Sequence, residues 1–151
     1  MKRREMVFAS ASLLGLGLAA RADDATAGSK PAPAAAASAA APGHQALIDA
    51  AYECIKAGER CQTHCLNELS QGHAMMAECA GTVEAMLATC RALASLAAQN
   101  SAHLKAMAAV CATICRDCEA ACKKHAGHHE ICKQCMETCG RCAAACEAVP
   151  A

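Results

Sequence analysis

Apolar and small residues recur every three or four positions from His44 to Val149, which is the spacing of one face of an α-helix. This pattern is interrupted only by turn and cap residues at 70–72, 99–101 and 126–127. The four helices that it predicts cover about 44–69, 73–98, 102–125 and 128–149. Because short connections make consecutive helices antiparallel neighbours, we expect an all-α, up-down-up-down four-helix bundle.

Cysteines occupy the face of each helix that the bundle buries. When the helices are written with alternating steps of three and four residues, all 14 cysteines of the chain fall on core-facing positions. They are Cys54, Cys61, Cys65, Cys79, Cys90, Cys111, Cys115, Cys118, Cys122, Cys132, Cys135, Cys139, Cys142 and Cys146. The chain of 151 residues has one Phe, one Tyr and no Trp, so small side chains must fill its interior. The sequence therefore predicts a bundle with a cysteine-lined core.

The N-terminal residues predict an export signal. Arg3 and Arg4 precede an apolar stretch over 7–20 that is too short to span a bilayer, and a small-x-small cleavage site follows at 20–22. The paired arginines resemble the bacterial twin-arginine signal, and an ordinary Sec signal is the alternative. We therefore expect a protein exported to the periplasm, with no stable membrane insertion once the signal is removed.

Composition divides the chain into three segments. Residues 1–22 form the predicted signal peptide, and residues 23–42 are rich in Ala, Pro, Ser and Gly, which predicts a flexible linker. Residues 43–151 form the predicted four-helix-bundle domain. The formal charge gives no sign of a nucleic-acid partner. The whole chain has a net charge of zero and no basic run beyond the N-terminus.

Enzymatic function is not expected from the placement of the carboxylates. No Glu is followed by His three residues later, as it would be in a ferritin-like metal site, and the acidic residues lie mostly off the core-facing positions. A thiol oxidoreductase would need one exposed cysteine pair of low pKa, whereas these thiols are spread through a buried face.

Metal binding explains the cysteines better than packing or cross-linking does. Leu or Ile would bury more area than Cys at these positions, and disulfides between neighbours on one helix would lock nothing together. Thiolate surroundings select Cu(I), Zn(II) or iron–sulfur clusters, and Zn(II) needs four convergent ligands. Cysteines one helical turn apart suit two-coordinate ions, which favours multiple Cu(I) ions. A zinc-buffering thiolate protein and a disulfide-rich structural bundle are the alternatives.

The two ends of the predicted bundle differ in chemistry. The end that we call the histidine end collects His64, His73, Met75, Met76, His125, His128 and His129. Of these, the predicted metal ligands are His64, Met75, Met76, His125 and His128, whereas His129 is interpreted as a surface residue and the core residue Met86 as packing. The opposite, leucine end contains Leu47, Leu93, Leu96, Leu104 and Met107 and is expected to be closed.

The chain resembles the bacterial copper storage proteins. The resemblance rests on the segment CQTHC at 61–65, on the cysteine ladders of helices three and four, and on the C-x-x-x-C pairs. These pairs are Cys61/Cys65, Cys111/Cys115, Cys118/Cys122, Cys135/Cys139 and Cys142/Cys146. The resemblance implies reversible storage of Cu(I), coordination mainly by pairs of cysteines, and a homotetramer in exported members.

Overall fold

Four long helices make up the part of the chain that the computed structural model describes, residues 42–150, with side chains from His44 onwards. They are α1 (Pro42–Ser70), α2 (Ala77–Ala98), α3 (Leu104–Lys123) and α4 (Glu130–Glu147), and a 3₁₀ turn, Ala74–Met76, precedes α2. The predicted signal peptide and the linker up to residue 41 lie outside the described residues. Within them, none of the helices has the length and apolarity needed to cross a membrane.

Each helix packs on two neighbours, which closes the bundle. α1 contacts α2 and α4, and α3 contacts the same two helices from the other side. This is the up-down-up-down arrangement that short connections favour. The predicted all-α four-helix bundle is therefore confirmed.

The connections differ in detail from the prediction. Gly72 has a φ of +90°, a conformation that glycine adopts without strain, so the chain turns there and α2 begins only after the 3₁₀ turn. Before α4, His128 and His129 donate backbone hydrogen bonds to the carbonyl of His125 at 3.0 and 2.9 Å. These two residues therefore form a turn, and α4 begins at Glu130 rather than at His128.

The core consists of cysteines at its centre and aliphatic side chains at the leucine end. Thirteen of the cysteines are fully buried, and Cys146 is 3% exposed. Leu47, Leu93 and Leu104 are also buried and close the leucine end. The prediction of a cysteine-lined core is confirmed.

Charged residues pair on the outside of the bundle. Arg116 joins α3 to Glu147 of α4, and Lys124 contacts Glu78 of α2 at 2.7 Å. Exposed pairs of this kind contribute little to stability. Helix packing around the core must therefore supply most of the free energy of folding.

Candidate metal centre

The core thiols form overlapping groups. Two groups contain four sulfurs that lie within 4.8 Å of one another, and at least three more groups contain three. The groups of four are Cys54/Cys90/Cys115/Cys142 and Cys61/Cys65/Cys79/Cys132; the groups of three are Cys61/Cys122/Cys135, Cys111/Cys142/Cys146 and Cys118/Cys135/Cys139. Every cysteine of the chain belongs to at least one group. Cysteines that belong to two groups join these groups into two sets. The 3.6 Å contact between Cys54 Sγ and Cys139 Sγ connects the two sets into one continuous array.

The shortest distances in this array join different helices. Cys79 Sγ lies 3.5 Å from Cys122 Sγ, and Cys54 Sγ lies 3.6 Å from Cys139 Sγ. Within α1, Cys61 and Cys65 are 4.0 Å apart. At a metal–sulfur bond of about 2.3 Å, two sulfurs that share an ion lie at most about 4.6 Å apart. All of these pairs can therefore share an ion.

Sequence spacing finds only part of this geometry. It identifies pairs on one helix, such as Cys61 and Cys65, but the cross-helix pairs depend on the rotation and register of neighbouring helices.

All 14 cysteines are free thiols. The structure thus contains none of the cross-links that the disulfide-rich alternative requires among the described residues.

Hydrogen bonds between thiols make their acidities unequal. Bonds with Cys115 and then Cys139 lower the pKa of Cys54 to about 6, and a bond with Cys115 lowers the pKa of Cys111 to about 5. The pKa of Cys115 itself is raised far above its ordinary value, first by its bond with Cys111. A donated S–H stabilises the neighbouring thiolate, and the thiolate in turn holds that proton in place. The reduced core therefore contains some thiolates and many protonated thiols.

This inequality predicts how protons leave during metal binding. At pH 7, the first Cu(I) ions should release fewer protons per ion than the later ones, because Cys54 and Cys111 are already ionised whereas Cys115 must lose a proton. At pH 5 these low-pKa thiols are more protonated, so the early release should increase and the apparent affinity should fall. A pH-stat titration measures both. Equal release per ion throughout the titration at both pH values would contradict the assignment.

Histidines cluster where α1 meets the turn before α4. His64 Nε2 lies 3.0 Å from His129 Nδ1, and the rings of His125 and His129 meet edge to face at 6.5 Å. His64, His125 and His129 are all half-buried. His129, interpreted from the sequence as a surface residue, is therefore the partner of His64. The spacing of four between His125 and His129 is the signal that could have indicated this.

The other predicted ligands at the histidine end lie in different surroundings. Met76 is buried, whereas Met75 is 74% exposed and His128 is exposed. His73 pairs with Glu68 at 2.6 Å. A surface groove of about 530 Å³ reaches His64 between α1 and Ile131 of α4. His64 is thus accessible from solvent while its neighbour Cys65 is buried.

Comparison with known proteins identifies the family. The family model for copper storage proteins (Csp) matches residues 40–151. The chain belongs to the copper storage protein family. The resemblance stated from the cysteine spacing is therefore confirmed.

Individual relatives agree with this assignment. The cysteine-rich protein YhjQ of Bacillus subtilis is 32% identical over 107 residues, which are 71% of this chain and 95% of the relative. The Cu(I)-bound copper storage protein BsCsp3 superposes with a TM-score of 0.66 at 30% identity, over 72% of this chain and 99% of that one. A copper storage protein from Streptomyces lividans with five coppers gives a TM-score of 0.64 at 28% identity, over 70% of this chain and 89% of that one.

The comparison with the Streptomyces lividans protein corrects the predicted cellular location. The Streptomyces lividans protein is described as cytosolic, which contradicts the periplasmic location predicted for this chain. There is a physical reason for a copper storage protein to lie in the cytosol. Cross-helix thiols 3.5 Å apart can form disulfides in an oxidising compartment, whereas the cytosol keeps thiols reduced.

Proposed function

We propose that this member of the copper storage family binds multiple Cu(I) ions on its core thiolates and releases them reversibly. The observation that carries the proposal is the continuity of the thiol array, in which all 14 cysteines are buried and each lies in a group of three or four. Thiolates that bridge neighbouring ions can use the whole array, because a sulfur shared between two groups serves both. Cu(I) is the soft ion that such a donor set selects.

Zinc is the second candidate, because two groups contain four sulfurs. Four sulfurs around a tetrahedral Zn(II) lie about 3.8 Å apart, given a Zn–S bond of about 2.3 Å. In the group around Cys90, the distances from Cys90 Sγ to Cys115 and Cys142 are both 3.8 Å. The two groups of four together use only eight of the 14 cysteines. Closed tetrahedral sites would therefore leave six thiols without a function.

An anaerobic titration of the fully reduced protein distinguishes the two metals. With Cu(I) and a competing chelator, we expect saturation at on the order of one ion per cysteine, because thiolates can bridge neighbouring ions. With Zn(II), binding should end at about two to four ions, because each site consumes four ligands. Saturation with Cu(I) at three or four ions would exclude storage on the continuous array and favour zinc.

The ligands at the histidine end are proposed to act as a transfer site rather than as storage sites. His64, Met75, Met76, His125 and His128 offer weaker coordination to Cu(I) than thiolates do, which suits residues that pass ions to and from solvent. The position of His64 on a solvent-facing groove supports this role. His129 joins the set through its contact with His64.

Assembly and location complete the proposal. We propose that the chain forms a homotetramer, because the apolar side chains of Tyr52 and Leu66 on α1 are exposed and available for contacts between copies. By analogy with the Streptomyces lividans protein, we place storage in the reducing cytosol. We propose a role in storage rather than catalysis, because the family to which the chain belongs is one of copper storage proteins.

A further inference from the structure

The middle of the core lacks thiols on two of the four helices. Between Cys54 and Cys61, α1 places Gly58 on the core face, and on the facing part of α2 the core residues Val83 and Met86 are both fully buried. α3 and α4 continue their cysteines past this level. The thiol array is therefore one-sided here, and Met86 provides the one sulfur of α2 between Cys79 and Cys90.

Met86 is placed against the thiols. Its Sδ lies 3.4 Å from Cys54 Sγ, and Cys54 Sγ lies 3.6 Å from Cys139 Sγ. Both distances are below the limit of about 4.6 Å for two sulfurs that share one ion at a metal–sulfur bond of about 2.3 Å. The thioether therefore lies within reach of an ion held by Cys54.

Gly58 makes this placement possible. A Cβ at Gly58 would lie 2.4 Å from Met86 Cε and 2.9 Å from Leu87 Cδ2, closer than side chains approach one another. Glycine inside a helix is less stabilising than alanine. The methyl group of Met86 fills the space that this glycine leaves. With the methyl group held there, the thioether sulfur lies towards Cys54.

Charge distinguishes a thioether from a further thiolate. A Cu(I) ion held by two thiolates has a net charge of −1, and a third thiolate would make it −2. Burying uncompensated charge among apolar side chains is costly, and the buried Leu87 approaches Gly58 beside the methyl group of Met86. A thioether is a soft donor without charge, so it supplies a third sulfur and leaves the net charge at −1.

We propose that Met86 Sδ is a Cu(I) ligand in the middle of the core, together with the thiolates of Cys54 and Cys139. The proposal rests on the storage function and adds a neutral ligand to a set otherwise made of cysteines. It also revises the interpretation of Met86 as packing alone.

X-ray absorption at the selenium edge tests this contact directly. Selenomethionine-labelled protein carrying Met75→Leu and Met76→Leu lacks the methionines of the histidine end, and a third substitution, Met136→Leu, removes the methionine of α4 that packs against the core. A copper neighbour of selenium then reports on Met86. Anaerobic loading should add a selenium–copper contribution, which a further Met86→Leu substitution should abolish. The matched control is Met107→Leu, since Met107 is half-buried at the leucine end; it should leave the contribution unchanged.

Affinity gives a second measurement on the same proteins. Leucine has nearly the volume of methionine, and a core tolerates exchanges that conserve volume, so Met86→Leu should fold. Competition with a Cu(I) chelator should show at least one ion held about tenfold more weakly in Met86→Leu, and no change in Met107→Leu.

The outcomes separate this inference from the function on which it rests. Loading of about one ion per cysteine without a selenium–copper contribution would overturn the role of Met86 and leave storage on thiolates intact. A contribution that persists in Met86→Leu would also overturn it. Failure of the unsubstituted protein to take up Cu(I) would overturn both.

Discussion

The reduced protein without metal is expected to be fully helical, and Cu(I) is expected to raise its melting temperature by tens of degrees. The helices have 18 to 29 residues, and buried Leu47, Leu93 and Leu104 close one end without any metal. The fold therefore differs from a zinc finger, whose small core requires the ion in order to form.

The size of the shift follows from binding to the folded state alone. An ion present at a thousandfold excess over its dissociation constant adds about 4 kcal/mol. A domain of about 100 residues gains about 4 °C or more in melting temperature for each kcal/mol. Several ions bound in one array stabilise the folded protein more than one ion does. The loaded protein should therefore stay folded at the temperatures at which the reduced, metal-free protein melts.

Circular dichroism under anaerobic conditions measures both parts of this prediction. The spectrum of the reduced, metal-free protein should be that of a helical protein, and its melting should move upwards as Cu(I) is added. Mg²⁺, which prefers oxygen ligands, serves as the control and should leave the melting temperature unchanged. A spectrum of mostly coil before copper is added would show that the metal is needed for folding.

Periodicity explains why the fold and the buried cysteines could be predicted from the sequence. A spacing of three and four residues determines which face of a helix is buried, so Cys54, Cys90 and Cys139 could each be assigned to the core without knowing their neighbours. Which thiols meet across the core is a different question. The 3.6 Å contact of Cys54 with Cys139 depends on the relative rotation and height of α1 and α4, and the spacing within either helix contains no information on that.

A turn before α4 and a close fit between α1 and α2 determine two contacts that the sequence pattern does not predict. His129 contacts His64 because His128 and His129 belong to the turn before α4, whereas the prediction began the fourth helix at His128 and assigned that residue as the ligand. Gly58 and Met86 fit each other across two helices. A complementary pair of this kind becomes visible only when both helices are in place.

The histidine end is expected to control the rate of copper exchange without determining capacity. Cys54 lies ten residues from His64 along α1, which is about 15 Å at 1.5 Å per residue. Ions that entered at the opposite end would have to displace buried Leu47, Leu93 and Leu104, whereas His64 lines a groove open to solvent. Loading and release should therefore proceed through the histidine end.

Variants with substitutions at the histidine end or at the leucine end test where the ions enter the bundle. His64→Ala with Met75→Ala and Met76→Leu should slow loading and release by at least about tenfold while capacity stays near that of the wild type, because storage depends on the cysteines. Met76 is replaced by leucine because it is buried, and truncation there would confound the rate with a loss of stability. The control, Leu93→Ala at the leucine end, should lower stability by about 2 to 5 kcal/mol and leave exchange unchanged under folding conditions. Stopped-flow transfer to a chelator measures the rates, and denaturant unfolding measures the stability. If the histidine-end variant exchanged copper at the wild-type rate and Leu93→Ala loaded faster, the ions would enter from the leucine end, because only loosening of the Leu93 packing would then open the route.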